Sequence, residues 1–281
     1  MSEILETLAL LSVLVFVISS MLSMGLSLTT KQIIEPLKDT RLVILALVAN
    51  FVLVPIMAYA ITVVLSLDES ISIGLILLST AAGAPFLPKL VEVGKGSTAF
   101  SVGLMVLLMV VTIIFMPIVL PLLLTGVEVN PLDIAQSLVV LMLIPLAIGL
   151  FIKARYEDSA EKIRPTFASA SNLAILVLIV LGVVLNFDSM IALVGSKGLL
   201  AAAVFVAVAF FIGYLLGGSD RSIKSVMALG TGQRNISAAL VVAAQSFDAD
   251  VITYLLVFSV IGFLLLFPAA GELGKRSEGT A

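Results

Sequence analysis

The sequence predicts an all-α membrane protein, and three observations carry that expectation. Hydrophobic residues make up 61% of the 281-residue chain and charged residues 12%, against roughly 45–50% and 25% in soluble domains, and the mean hydropathy is +1.27. The apolar stretches are continuous and lack the alternating segments, each about ten residues long, of barrel strands. They divide into nine windows, each near the ~20 residues a helix needs to cross a bilayer: residues 5–28, 42–66, 71–93, 98–125, 133–153, 166–186, 198–217, 223–246 and 251–271.

The first window begins within MSEILETLALL, where acids stand at the place a signal peptide requires Lys or Arg, so it reads as a retained span. The second, fourth and fifth windows carry Pro55, Pro117 with Pro121, and Pro145, which read as kinks. The third is interrupted by AAGAPFLP at 81–88, with Gly83, Pro85 and Pro88, and the eighth by GTGQRN at 230–235, with Gly230 and Gly232. Interrupted helices free backbone groups that protein, water or ligand must satisfy, so they line cavities. The sixth, seventh and ninth windows complete the set. If the chain is an inverted repeat, windows 3 and 4 correspond to 8 and 9 and the two interruptions are equivalent, which is the pattern of a midplane transport site.

Nine spans put the termini on opposite sides. Lys31, Lys38, Arg41, Lys95, Lys153, Arg155, Lys162, Arg164, Arg221, Lys224, Lys275 and Arg276 share one side, and Lys197 alone is on the other. By the positive-inside rule the C-terminus is cytoplasmic and the N-terminus outside, in a multi-pass protein of the cell's inner (plasma) membrane.

The remaining basic residues, Lys89 and Arg234, fall inside windows, each beside an interruption. A cation at bilayer depth costs from about 2.5 to more than 10 kcal/mol and is kept where something pairs with it. Glu92, three residues beyond Lys89, could pair with it along the helix face. Arg234 has no acid inside a span, and its plainer alternatives are snorkelling or bonds to freed carbonyls. Two cations and at most one carboxylate make a net positive cavity suited to an anion, with Asn50, Thr80, Ser101, Gln233 and Asn235 expected to share it. Asn172, Asn186 and Gln245 read as helix ties.

Composition also excludes classes of function. A net charge of −3 with no basic stretch argues against nucleic acid. Absence of Cys and His removes disulfides, thiol chemistry and the commonest metal ligand and proton shuttle, so no cofactor and no metal site is expected. No Ser-His, paired-Asp or HExxH constellation occurs, so an enzyme is not expected.

MGLSL at 24–28, ANFVLVP at 49–55, the interrupted third window running into GKGSTAFS at 94–101, and GTGQRNISAAL at 230–240 occur in the order of landmarks in the bile acid:sodium symporter family, which the chain resembles over nearly its whole length. The resemblance implies a panel domain (helices 5–28, 133–153 and 166–186), a core domain (42–66, 71–93, 98–125, 198–217, 223–246 and 251–271), two broken helices crossing in the core beside two sodium sites, and organic-anion substrates. The sodium ligands the family supplies are missing. Gly230 stands for a glutamate, Arg234 for a glutamine, Leu87 and Pro88 for a Ser-Asn pair and Met105 for a threonine, leaving Ser101 and Asn50 as oxygen ligands.

The expectation is a secondary transporter of a small organic anion working by alternating access without conventional sodium coupling. Lys89 and Arg234 would stand in for the sodium ions, and protons would be a further partner if Lys89 titrates. The alternatives are a sodium-coupled carrier with relocated ligands and an anion sensor that transports nothing.

Overall fold

The computed structural model describes residues 2–124, 130–185, 193 and 196–278, and among them every regular element is helical. Six helices are long and apolar enough to cross a membrane, at Thr7–Gly25, Thr40–Leu65, Thr98–Leu123, Pro131–Arg155, Gly198–Leu216 and Ala249–Arg276. Their outer faces expose large hydrophobics such as Ile56, Val64, Ile118, Leu122, Leu215 and Leu264, as lipid-facing surfaces do.

Helix α1 spans Ser2–Gly25. Its C-terminal end is followed by α2 (Thr30–Ile34), started by a capping box between Thr29 and Gln32, and by a 3-10 turn at Glu35–Lys38. Helix α3 (Thr40–Val48), capped by Asp39, runs through a π-turn at Ala49–Leu53 into α4 (Val54–Leu65). Pro55 explains the π-turn: it has no N–H for the carbonyl of Phe51, and the ladder slips so that Val54 N–H donates to Ala49 O. The same device recurs where α8 (Pro131–Leu138) passes through Val139–Leu143 into α9 (Ile144–Arg155) ahead of Pro145. Sequence reads both prolines as plain kinks; each is a π-turn.

The third window is two short helices, α5 (Glu69–Thr80) and α6 (Leu87–Val93), with non-helical chain between them. At 12 residues α5 is about 18 Å long, short of the ~30 Å hydrocarbon layer. After α7 (Thr98–Leu123), α8 and α9 come α10 (Glu157–Leu185) and α11 (Gly198–Leu216). The eighth window is again divided, into α12 (Arg221–Gly232), capped by Asp220, and α13 (Ile236–Ser246), capped by Asn235. The last helix is α14 (Ala249–Glu278).

The divided helices occupy the middle of the bundle. Every residue from Ile73 to Thr80, from Ser225 to Asn235 and from Ser237 to Ala243 is buried, and a helix apolar all round is one enclosed on every face. Helix α1 packs along α10 and α9. Gly25 and Gly149 meet there so closely that a Cβ on Gly25 would stand 2.9 Å from the Gly149 Cα.

Candidate functional site

The two interruptions are hydrogen-bonded to each other. Asn235 N–H donates to Ala81 O at 2.9 Å and Asn235 Nδ2 to Gly83 O at 3.0 Å, while Asn235 Oδ1 accepts from Ala238 N–H and so caps α13. One amide side chain thus starts a helix and ties its end to the other interruption. Gly83 has φ +77°, and a Cβ there would meet Met109 N and lie 2.6 Å from Met105 O of α7, so only glycine fits. The Thr112 hydroxyl of α7 accepts from Ala82 N–H at 2.9 Å and donates to Ala82 O at 3.1 Å.

Arg234 lies at this junction, 3% exposed. Nε donates to Leu78 O at 2.8 Å, Nη2 to Ser79 O at 2.8 Å, and Nη1 to Asn50 Oδ1 at 2.8 Å and Thr231 O at 3.3 Å. Leu78 and Ser79 belong to the last turn of α5 and Thr231 to the last turn of α12, where carbonyls run short of backbone donors; Leu78 O also accepts from Ala81 N–H at 3.2 Å. Two negative helix ends therefore converge on the guanidinium. Its charge is met by four neutral oxygens, the donor chemistry that hard cations take. Asn50 reaches the cage from the π-turn, held by Nδ2 donating to Ala46 O at 3.0 Å and to Thr231 Oγ1 at 3.3 Å.

A cavity of about 510 Å³ opens beside this junction. One wall is α1, through Phe16, Ser20, Ser23 and Met24, with Ser27 just beyond it, and α10, through Arg164, Ala168, Ser171, Asn172 and Ile175. The facing wall is Ala84–Phe86, Pro88 and Lys89, Met105 of α7, Gln233, Arg234, Ile236 and Ser237, and Phe263 of α14. Among the described residues, neither wall contributes an Asp or Glu. Gln233 also borders a water-sized cavity of about 30 Å³ with Ser259 and Phe263, and its Oε1 is buried without a hydrogen-bond partner among the described residues.

Of the residues expected from sequence, the structure brings Lys89, Gln233, Arg234, Pro85 and Pro88 to the cavity. Lys89 is not buried. Its side chain is 62% exposed and its Nζ lies 2.7 Å from Glu92 Oε2 in an i,i+3 pair, and Glu92 is off the cavity wall. Asn50 and Asn235 are buried behind the wall in the bonds described. Thr80 and Ser101 hydrogen-bond to carbonyls of nearby residues, at Leu77 O and Thr98 O. Gly230 is buried, with Leu87 and Leu104 side chains filling the space in front of it. Asn172 lines the cavity, Gln245 accepts from Ser137 Oγ, which ties α13 to α8, and Asn186 is outside the described residues. Sequence missed Thr112 and Arg164. The signal for Arg164 was present as a polar stripe with Ser171 and Asn172, seven and eight residues on, on one helix face.

A helical membrane protein whose two broken helices meet at a caged cation, beside a cavity lined, among the described residues, by basic and no acidic side chains, is a protein of the secondary-transporter class. The chain belongs to the sodium bile acid symporter family, whose model matches residues 14–193; Arg234 and its interruption lie beyond the matched residues. It is 25% identical over 240 residues to an uncharacterized sodium-dependent transporter of Bacillus subtilis, YocS, covering 81% of this chain and 72% of that one. It is 23% identical over 265 residues to the probable chloroplastic sodium/metabolite cotransporter BASS6 of Arabidopsis thaliana, covering 88% of this chain and 64% of the relative. A second Arabidopsis relative, the probable cotransporter BASS3, is 22% identical over 80% of this chain and 54% of its own length.

Proposed function

We propose that this protein carries a small organic anion across the inner membrane by alternating access, through nine transmembrane helices arranged as an inverted repeat of panel and core, without conventional sodium coupling. The carrying observation is the oxygen cage around Arg234. A carrier that uses sodium presents carbonyl and amide oxygens to a mobile ion; here Leu78 O, Ser79 O, Thr231 O and Asn50 Oδ1 are taken by a tethered guanidinium. Where the family resemblance places a glutamate the chain has Gly230, and a Cβ added to it would stand 3.1 Å from the Cδ2 of Leu87, itself in place of the family's Ser-Asn pair. Hydrocarbon offers a sodium ion nothing to replace its water.

Alternating access is supported by the cavity's placement. Its lining includes Lys89, Arg164 and the C-terminal end of α1, all next to the basic loops that the charge split puts in the cytoplasm. The Ser137–Gln245 bond joins α8 to α13 toward the opposite ends of those helices. That arrangement suits a carrier open to the cytoplasm, with panel and core touching outside. The helices α1, α8–α9 and α10 would be the panel that moves against the core.

The names of the relatives favour a second reading, a sodium-coupled carrier with relocated ligands. Uptake of a monocarboxylate series into proteoliposomes, with and without a sodium gradient and with and without a pH gradient, separates the two. The expected result is uptake unaffected by sodium. Strong sodium dependence with no pH response would sink the tethered-cation reading.

A further inference from the structure

Among the described residues three cations line the cavity, and two of them are committed. Arg234 is held by four oxygens, and Lys89 is paired with Glu92. The third, Arg164 of α10, is exposed and, among the described residues, has no hydrogen bond or ion pair from its side chain. The nearest acid on its own helix face, Glu161, is turned to Lys153 at 3.2 Å. We infer that Arg164 is the residue that takes the anionic group of the substrate, a carboxylate, from the α10 wall. This rests on the organic-anion reading above.

The chemistry fits that role. A guanidinium offers a planar fork matched to a carboxylate, and such bidentate pairs are both stronger and more directional than a lysine's point charge. With no Asp or Glu among the described residues of the cavity wall, nothing there competes for that fork. One and two turns deeper on the same face stand Ala168, then Ser171 and Asn172, with Ser20 and Ser23 of α1 on the same wall. A carboxylate at Arg164 would leave the rest of a short ligand among hydroxyls, an amide and the apolar side chains of Phe16 and Ile175. The division of labour among the cations follows: Arg234 holds the two interruptions together, and Arg164 recognises the ligand. Because Arg164 is on the wall formed by α1 and α10 rather than at the interruptions, its engagement would also depend on how close the two walls approach.

The test uses the purified full chain. Thermal shift is measured against linear monocarboxylates from acetate to octanoate, each with and without a 2-hydroxyl, and each alongside its neutral amide. The expected result is a saturable shift with at least one acid and none with its amide. Arg164→Gln should weaken the apparent affinity about tenfold or more, since a hydrogen bond to a charged group is lost, while Arg164→Lys should fall between and both variants should melt unliganded like the unmodified protein. If an acid binds and Arg164→Gln binds it equally well, the assignment of Arg164 is wrong and the organic-anion reading stands. If neither acids nor amides shift the unmodified protein, both fail.

Discussion

Arg234 Nη1 donates to Asn50 Oδ1 at 2.8 Å across 184 positions of sequence, and the bond joins a π-turn to a helix interruption. The π-turn exists because Pro55 cannot donate, and the interruption is where Gln233, Arg234 and Asn235 leave the helix. The carbonyl ends of α5 and α12 are thus bonded by one side chain, which also takes the Asn50 amide oxygen. Among the described residues the same guanidinium has no carboxylate beside it, so its removal leaves four oxygens facing one another with nothing between them.

Arg234→Ala is therefore expected to lower stability by about 3 kcal/mol or more, since each buried acceptor it orphans costs about 1–3 kcal/mol. Millimolar guanidinium should raise the melting temperature of that variant and leave the unmodified protein unchanged. Arg234→Gln should remain destabilised in sodium, because Gly230 supplies no carboxylate. Melting of both variants at the unmodified temperature would show that the cage carries no stability.

Thr112→Val removes a hydroxyl that satisfies both backbone groups of Ala82 while keeping the side-chain shape. The expected loss is about 2–4 kcal/mol, since each orphaned buried group costs about 1–3 kcal/mol. Thr112→Ser should retain most of the stability. Denaturation in matched detergent reads the pair, and equal loss in both variants would place the effect in packing instead of the hydrogen bonds.

Gly83→Ala combines a positive φ with a Cβ pressed onto the backbone of α7. A loss of about 2–4 kcal/mol, or failure to accumulate folded protein, is expected. Gly271 has open space around its Cβ position, so Gly271→Ala is the matched control and should be neutral or slightly stabilising. Like behaviour of the two variants would refute the close-approach argument.

Lys89→Met removes one partner of an exposed pair, and stability should change by less than about 1 kcal/mol. If uptake continues but no longer responds to a pH gradient, Lys89 is the coupling group. Complete loss of exchange would instead place it in the anion site.

The nine-span order predicts that cysteines at Asp68 and Lys162 label from opposite faces of the membrane, which a chain without native cysteine makes simple to measure. Labelling from the same face overturns the topology and the orientation drawn from it.

Hydropathy, the interruptions and the charge split were legible in the sequence because each is a property of neighbouring residues. A run of apolar side chains in lipid is helical wherever it packs, and the clusters at 81–88 and 230–235 divide it, whereas Pro117 and Pro121 leave α7 continuous. Arg234 stood out for the same reason, as a cation inside an apolar run.

The surroundings of those residues were decided by tertiary structure. Whether Lys89 is buried depends on which way α6 faces, and it faces out with Glu92. Thr112 is one hydroxyl among many on a long helix until Ala82 is brought against it. Arg164 belongs by sequence to a basic loop, yet α10 begins at Glu157 and carries it onto the cavity wall. Hydrophobicity acts through solvent and is read one segment at a time, whereas hydrogen bonds and ion pairs need two groups in one place, and only the folded chain fixes which groups those are.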